Sequence, residues 1–177
     1  MIRGVFVVTI VVLVQGGAAY GQQDFIPLRP NISLESGDTW NHDGQRYRLY
    51  GVQSCLRGTQ FTNGAGRRFD CGDVSLAVLA AFIKDTQPSC APLARRLDLT
   101  YVVCFAVVGS AKLDLGTILI SRGYAFAALN DEGTPVNPSY AVAEQQAKER
   151  KAGLWQYPDV QHPSLLLGRA AHMRNSQ

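Results

Sequence analysis

Asp43-Gly44 is the feature that most constrains the fold of this chain. An Asp-Gly pair between two β-patterned runs is a strong hairpin signal, because both turn positions need backbone angles that glycine and aspartate tolerate. The flanking runs, residues 32–40 and 45–52, therefore read as two antiparallel strands. Along the second, Tyr47, Leu49 and Gly51 alternate with Arg46, Arg48 and Tyr50, so one face is apolar and the other carries arginines. A sheet is therefore expected near the start of the chain.

Helical spacing follows. Residues 73–84 repeat Leu76, Val78, Leu79, Phe82 and Ile83 with a helix period, and Asp73 is a candidate N-cap. A short strand is expected over 89–93 and a β-branched one over 100–108. Residues 113–122 predict a short amphipathic helix stopped by Gly123, and the apolar stretch 124–129 returns to the sheet. The clearest helix has Asn137 as cap, Pro138 at its first turn and Gly153 beyond its end. Tyr140, Ala143, Ala147 and Leu154 lie on one face, and Glu144 precedes Lys148 by four. Strands first, one helix inserted before the last long strand and two C-terminal helices give an α+β class. The expected architecture is a five-stranded OB-fold barrel.

The 177 residues fit one domain with trimmings. Residues 1–21 read as a secretory signal: Arg3, an apolar run over 4–14, then small residues over 16–21. That run is about half of the roughly 20 residues a span needs, so no stable membrane anchor is expected after cleavage. Residues 22–30 are an extended lead-in, 31–157 the domain, and 158–177 a loose tail. A secreted or periplasmic destination suits four cysteines, Cys55, Cys71, Cys90 and Cys104. Of three possible pairings, sequence neighbours (Cys55–Cys71 and Cys90–Cys104) are expected, each worth about 3 kcal/mol on the chain-entropy model. No C-x-x-C pair supports a zinc or redox site. The net charge of +3 falls to +2 without Arg3. That permits a polyanionic partner without demanding one.

The run Gly37-Asp38-Thr39, then Tyr47-Arg48-Leu49-Tyr50-Gly51-Val52, then Asp114-Leu115-Gly116 to Arg122-Gly123-Tyr124-Ala125, then Ala143 to Ala147 and Gly153-Leu154-Trp155 resembles the thermonuclease (staphylococcal nuclease-like) family over about residues 32–156. The cysteines and the Gly66–Gly72 segment resemble its exported, cysteine-containing branch, which includes members associated with succinoglycan (exopolysaccharide) biosynthesis. The resemblance implies a calcium-dependent phosphodiester hydrolase with a glutamate base and two phosphate-binding arginines. A divalent ion and guanidinium groups would stabilise developing charge while the base orients water.

Position by position, Asp38 matches the first calcium carboxylate and Arg48 one arginine. The second carboxylate falls at Gln53, the carbonyl ligand at Ser54, the proline at Cys55, the glutamate at Leu56 and the second arginine at Leu99, or at a valine under a shifted alignment. A base is typically worth about 10²–10⁴ in rate. The expectation is a pseudoenzyme, with calcium relevant only if the vestigial site still binds it. It is then a binding or accessory module for nucleic acid, an anionic polysaccharide or a protein. The alternative is a calcium-dependent nuclease rebuilt around Asp38 and Arg48 with Glu35, Asp43 or Asp70. Asp38 also reads as a turn residue satisfying backbone groups. His42, His162 and His172 read as polar turn or tail residues, Arg67-Arg68 and Arg95-Arg96 as solvated pairs, and Trp40 and Trp155 as packing residues.

Overall fold

The structure, a computed structural model, describes residues 25–175. The signal reading over 1–21 and the first residues of the lead-in lie outside the described residues. The chain is a curled sheet covered by four helices. Its strands are β1 (Ile26–Pro27), β2 (Ser33–Leu34), β3 (Thr39–His42), β4 (Gln45–Leu49), β5 (Val52–Ser54), β6 (Gln60–Thr62), β7 (Arg68–Asp70), β8 (Ser89–Arg96), β9 (Leu99–Val108), β10 (Ala111–Asp114) and β11 (Ala125–Ala127). The helices are α1 (Cys71–Thr86), α2 (Leu115–Ser121), α3 (Pro138–Glu149) and α4 (Pro163–Asn175), with a 3-10 turn over Gly153–Gln156.

The main sheet runs β1-β8-β9-β4-β3-β2. Its two outer strands are close neighbours in the chain, so the segment 26–34 touches both margins and the sheet must curl. This arrangement is consistent with the expected OB-like barrel. Strand β9 is the spine. Its first half pairs in parallel with β4, its second half antiparallel with β10, and β8 runs along its other side. The hairpin is as expected: Asp43 and Gly44 both take positive φ, and β3 and β4 pair in register from Thr39↔Arg48 to His42↔Gln45.

Several boundaries differ from the sequence reading: the helix expected over 113–122 runs Leu115–Ser121, because residues 111–114 pair with β9 as β10, and the stretch 57–68 contains β6. Helix α1 begins at Cys71 and is capped by Asp70, whose side chain accepts from the Asp73 N–H; Asp73 therefore sits in the first turn and is not the cap. Strand β8 extends to Arg96, because its pairing with β9 continues through a bulge at Pro92/Ala94. Beyond residue 157 the expectation of a loose tail does not hold for the described part. Asp159 Oδ2 accepts from the Thr62 N–H at 2.8 Å, Val160 packs on a hydrophobic cluster, and α4 adds a third helix after β9.

Both expected disulfides are present. Cys90–Cys104 joins opposed positions of β8 and β9, while Cys55–Cys71 ties the loop after β5 to the start of α1. The main core gathers Leu28, Trp40, Leu49, Val102, Leu115, Leu119 and Ile120, and a smaller cluster surrounds Phe61, Phe126 and Leu154. On α3, Tyr140 Oη donates to Asp114 Oδ1 at 2.9 Å; burial, then the Asp114 charge and that bond, push the phenol well above its ordinary range.

Candidate functional site

The Ser36–Thr39 turn, the end of β4 and the end of β5 meet under α1. Gly37 is what allows the approach: a Cβ there would sit 2.7 Å from Ser75 Cβ and 2.8 Å from the Ser75 carbonyl carbon. Ser75 is buried on α1, its hydroxyl donating to the Tyr124 carbonyl and accepting from the Cys55 N–H. The turn is thus pressed against the helix.

Asp38 lies in this turn, only 2% exposed. Its Oδ1 accepts from Ser36 Oγ at 2.5 Å and Thr39 Oγ1 at 2.9 Å. Its Oδ2 accepts from the Ser54 N–H at 3.0 Å and from Arg48 Nη2 at 3.1 Å. A polar group buried without hydrogen-bond partners is costly, and here four donors surround the carboxylate. Gln53 closes the ring. Its Oε1 accepts from Arg48 Nη2 at 2.7 Å, and its Nε2 donates to the Ser54 carbonyl at 3.0 Å. Asp38, Arg48, Gln53 and Ser54, named from sequence, are therefore brought together and bonded to one another.

The remaining named positions are elsewhere. Leu56 follows in the half-buried loop, where its carbonyl accepts from both the Thr59 N–H and Thr59 Oγ1. Leu99 opens β9 opposite Arg46; the residue opposite Arg48 is Tyr101. Tyr101 meets Tyr50 edge-on, ring centroids 6.2 Å apart. With Arg48, Gln53, Leu129 and Val136 these tyrosines line a hollow of about 370 Å³. Sequence reasoning missed Tyr101, because its position depends on the register between two strands far apart in the chain. Beside it, Arg46 binds Glu35 through Nε and Nη2 and reaches Asp98 at 3.3 Å. The Glu35 bonds first and Asp98 second hold the guanidinium above its ordinary value, and Glu35 is thereby engaged away from Asp38.

A second polar cluster contains the expected Glu144–Lys148 pair and adds partners that were not anticipated. Glu144 is buried on α3, its Oε2 accepting from the Ala127 N–H at 2.7 Å and contacting His162 Nε2 at 3.3 Å, with Lys148 Nζ on Oε1 at 2.5 Å. Burial pushes this carboxyl up, but the His162, Lys148 and Ala127 hydrogen bonds outweigh it and leave the group below its ordinary value. The sequence did hold a signal: a carboxylate on the stripe of Tyr140, Ala143 and Ala147 must find partners inside. His162 is thus a half-buried anchor and no solvated tail residue.

No family model matches the chain. It is 30% identical over 131 residues, 73% of its length, to the succinoglycan biosynthesis protein ExoI of Rhizobium meliloti (strain 1021). The match covers 65% of that relative, so the chain spans less than two thirds of it.

Proposed function

We propose that this chain is an exported thermonuclease-type OB barrel that no longer hydrolyses phosphodiesters and acts as a binding or accessory module in exopolysaccharide biosynthesis. The observation that carries this reading is the closed ring of Asp38, Arg48, Gln53 and Ser54. Calcium takes six to eight oxygen ligands and favours several carboxylates. Here one carboxylate is saturated by four donors, the second expected ligand is an amide, and the carbonyl of Ser54 already accepts from that amide. The donor set does not fit calcium. The Gln53 amide and the Arg48 guanidinium satisfy the oxygens that a cation would otherwise hold.

The catalytic side is equally depleted. Leu56 offers no base, and Leu99 and Tyr101 offer no second guanidinium. One missing base alone is worth about 10²–10⁴ in rate. Losing one electrostatic stabiliser costs about 10²–10³, although such terms do not simply multiply. Arg48 is also engaged by Asp38 and Gln53, so a phosphate would have to displace them. The relative's name supplies the exopolysaccharide context, and the mild net charge of +3 is less than a dedicated nucleic-acid binder carries.

The test is incubation of the protein, residues 22–177, with calcium and single-stranded DNA. No cleavage above background is expected. Calcium-dependent cleavage that disappears in Arg48→Ala would sink the reading. Restoring Gln53→Asp and Leu56→Glu together with Leu99→Arg, or with Tyr101→Arg, asks whether the ring can be reopened to metal.

A further inference from the structure

We infer that the β6–β7 hairpin and the segment after the 3-10 turn form a groove for an acidic oligosaccharide, on a different part of the surface from the Arg48 hollow. This rests on the binding-module reading and names the ligand class and its place.

Three aromatic rings stack in a row. Phe61 lies between Phe69, at 5.8 Å and 23°, and Tyr157, at 4.5 Å and 25°. Phe61 is buried, whereas Phe69 is 38% exposed. Arg67 places its guanidinium carbon 5.7 Å from the Phe69 ring centre. Two hollows adjoin the row, of about 210 Å³ and about 490 Å³, and both are lined by Asn63, Gln156 and Tyr157. They therefore share a wall made by these three residues.

This combination matches a sugar ring. A pyranose presents a face of C–H groups, which packs on an aromatic ring, and a rim of hydroxyls that donate and accept. Asn63 Oδ1 already accepts from the Ala65 and Arg67 N–H groups and Gln156 Nε2 donates to the Gly153 carbonyl, so Asn63 Nδ2 remains to donate and Gln156 Oε1 to accept. An acid substituent on the sugar would meet the guanidinium of Arg67.

The groove is also held in shape before any ligand arrives, which lowers the ordering cost of binding. Cys55–Cys71 fixes the loop entering the hairpin, Asp70 Oδ2 accepts from the Gly58 N–H at 2.7 Å, and Asp159 Oδ2 holds the Thr62 N–H at 2.8 Å. A single-stranded nucleic acid fits less well. It carries a charge on every unit and needs a cationic track beside the stacking rings. Here Arg67 stands at the Phe69 end while Asp159 lines the other hollow.

The probes are a β-1,4-glucose hexamer bearing a single glucuronate, the neutral β-1,4-glucose hexamer and a thymidylate hexamer, titrated calorimetrically into residues 22–177. The singly charged sugar hexamer is expected to bind best. Phe69→Ala should weaken it roughly tenfold, the size of one lost stacking contact. Arg67→Ala should weaken the singly charged sugar hexamer while leaving neutral-hexamer binding unchanged. Both positions are exposed, and circular dichroism checks that the variants fold. The inference is overturned if neither sugar chain binds, or if Phe69→Ala leaves the affinity unchanged. It is equally overturned if Tyr101→Ala is the variant that abolishes binding, or if the thymidylate hexamer binds tightest with a steep salt dependence. Calcium-dependent DNA cleavage by the same sample would instead refute the module reading, so the two failures are distinct.

Discussion

Replacing Asp38 with alanine separates a structural knot from a metal site. The substitution removes an acceptor for four donors, and the donors differ in what they can do next. Ser36 Oγ and the Arg48 guanidinium, whose side chain is 29% exposed, can turn to water, so their loss is discounted heavily. The Ser54 N–H cannot turn, because it is main chain, buried, and left without its carboxylate. Stranding a buried donor costs about 1–3 kcal/mol, and a hydrogen bond to a charged group contributes about 1.5–3 kcal/mol. Taken together the variant should lose about 3–4 kcal/mol. At about 2–4 °C per kcal/mol for a domain of this size, the melting temperature should fall by roughly 10 °C.

Differential scanning fluorimetry of parent and variant, each with and without millimolar calcium, reads both quantities. Calcium should not move the parent, whereas a live site at a hundred times its Kd would add about 2.7 kcal/mol. A variant that melts within about 2 °C of the parent refutes the knot. Calcium stabilisation of the parent that vanishes in Asp38→Ala refutes the closed ring.

Two further expectations concern the rest of the fold. Because Glu144 is held below its ordinary value in the folded state, its contribution to stability is complete above the unfolded value of about 4.3 and is lost as pH falls through the lower folded value. Urea midpoints followed from pH 6 to pH 3 should therefore decline less steeply in Glu144→Gln than in the parent; parallel declines would contradict this account. Replacing Cys90 and Cys104 together with serine should cost about 3 kcal/mol for a loop of 14 residues, read as a lower urea midpoint. Intact mass under non-reducing conditions should show no free thiol among the four cysteines of the parent.

Much of the scaffold was legible because its signals are local. Asp43-Gly44 fixes the turn of the β3–β4 hairpin by backbone angle alone, and Asn137-Pro138 marks the start of α3 through a cap and a fixed φ. Asp38 and Arg48 were likewise visible as a pair around the hairpin. Relations set by tertiary contact were not legible. The bond from Gln53 to the Ser54 carbonyl depends on side-chain orientation, and the Tyr101–Arg48 opposition on the β4–β9 register. Asp70 displaced Asp73 as the cap of α1 because the chain enters the helix at Cys71, two residues earlier than the apolar spacing suggests. His162 looked like tail because its partner, Glu144, lies 18 residues back on α3.

The segment from β1 to β2 carries a liability out of proportion to its length. Strand β1 covers the free side of β8 and β2 covers that of β3, and the two strands are consecutive pieces of one short segment. A single proteolytic cut between them would sever β1 from the rest of the domain, leaving it held by its pairing with β8 alone and β2 tethered on one side only, and loss of the segment would bare two unpaired strand edges at once. Exposed edges template pairing with other chains, so trimming at this end should produce aggregation before it produces any loss of helix content.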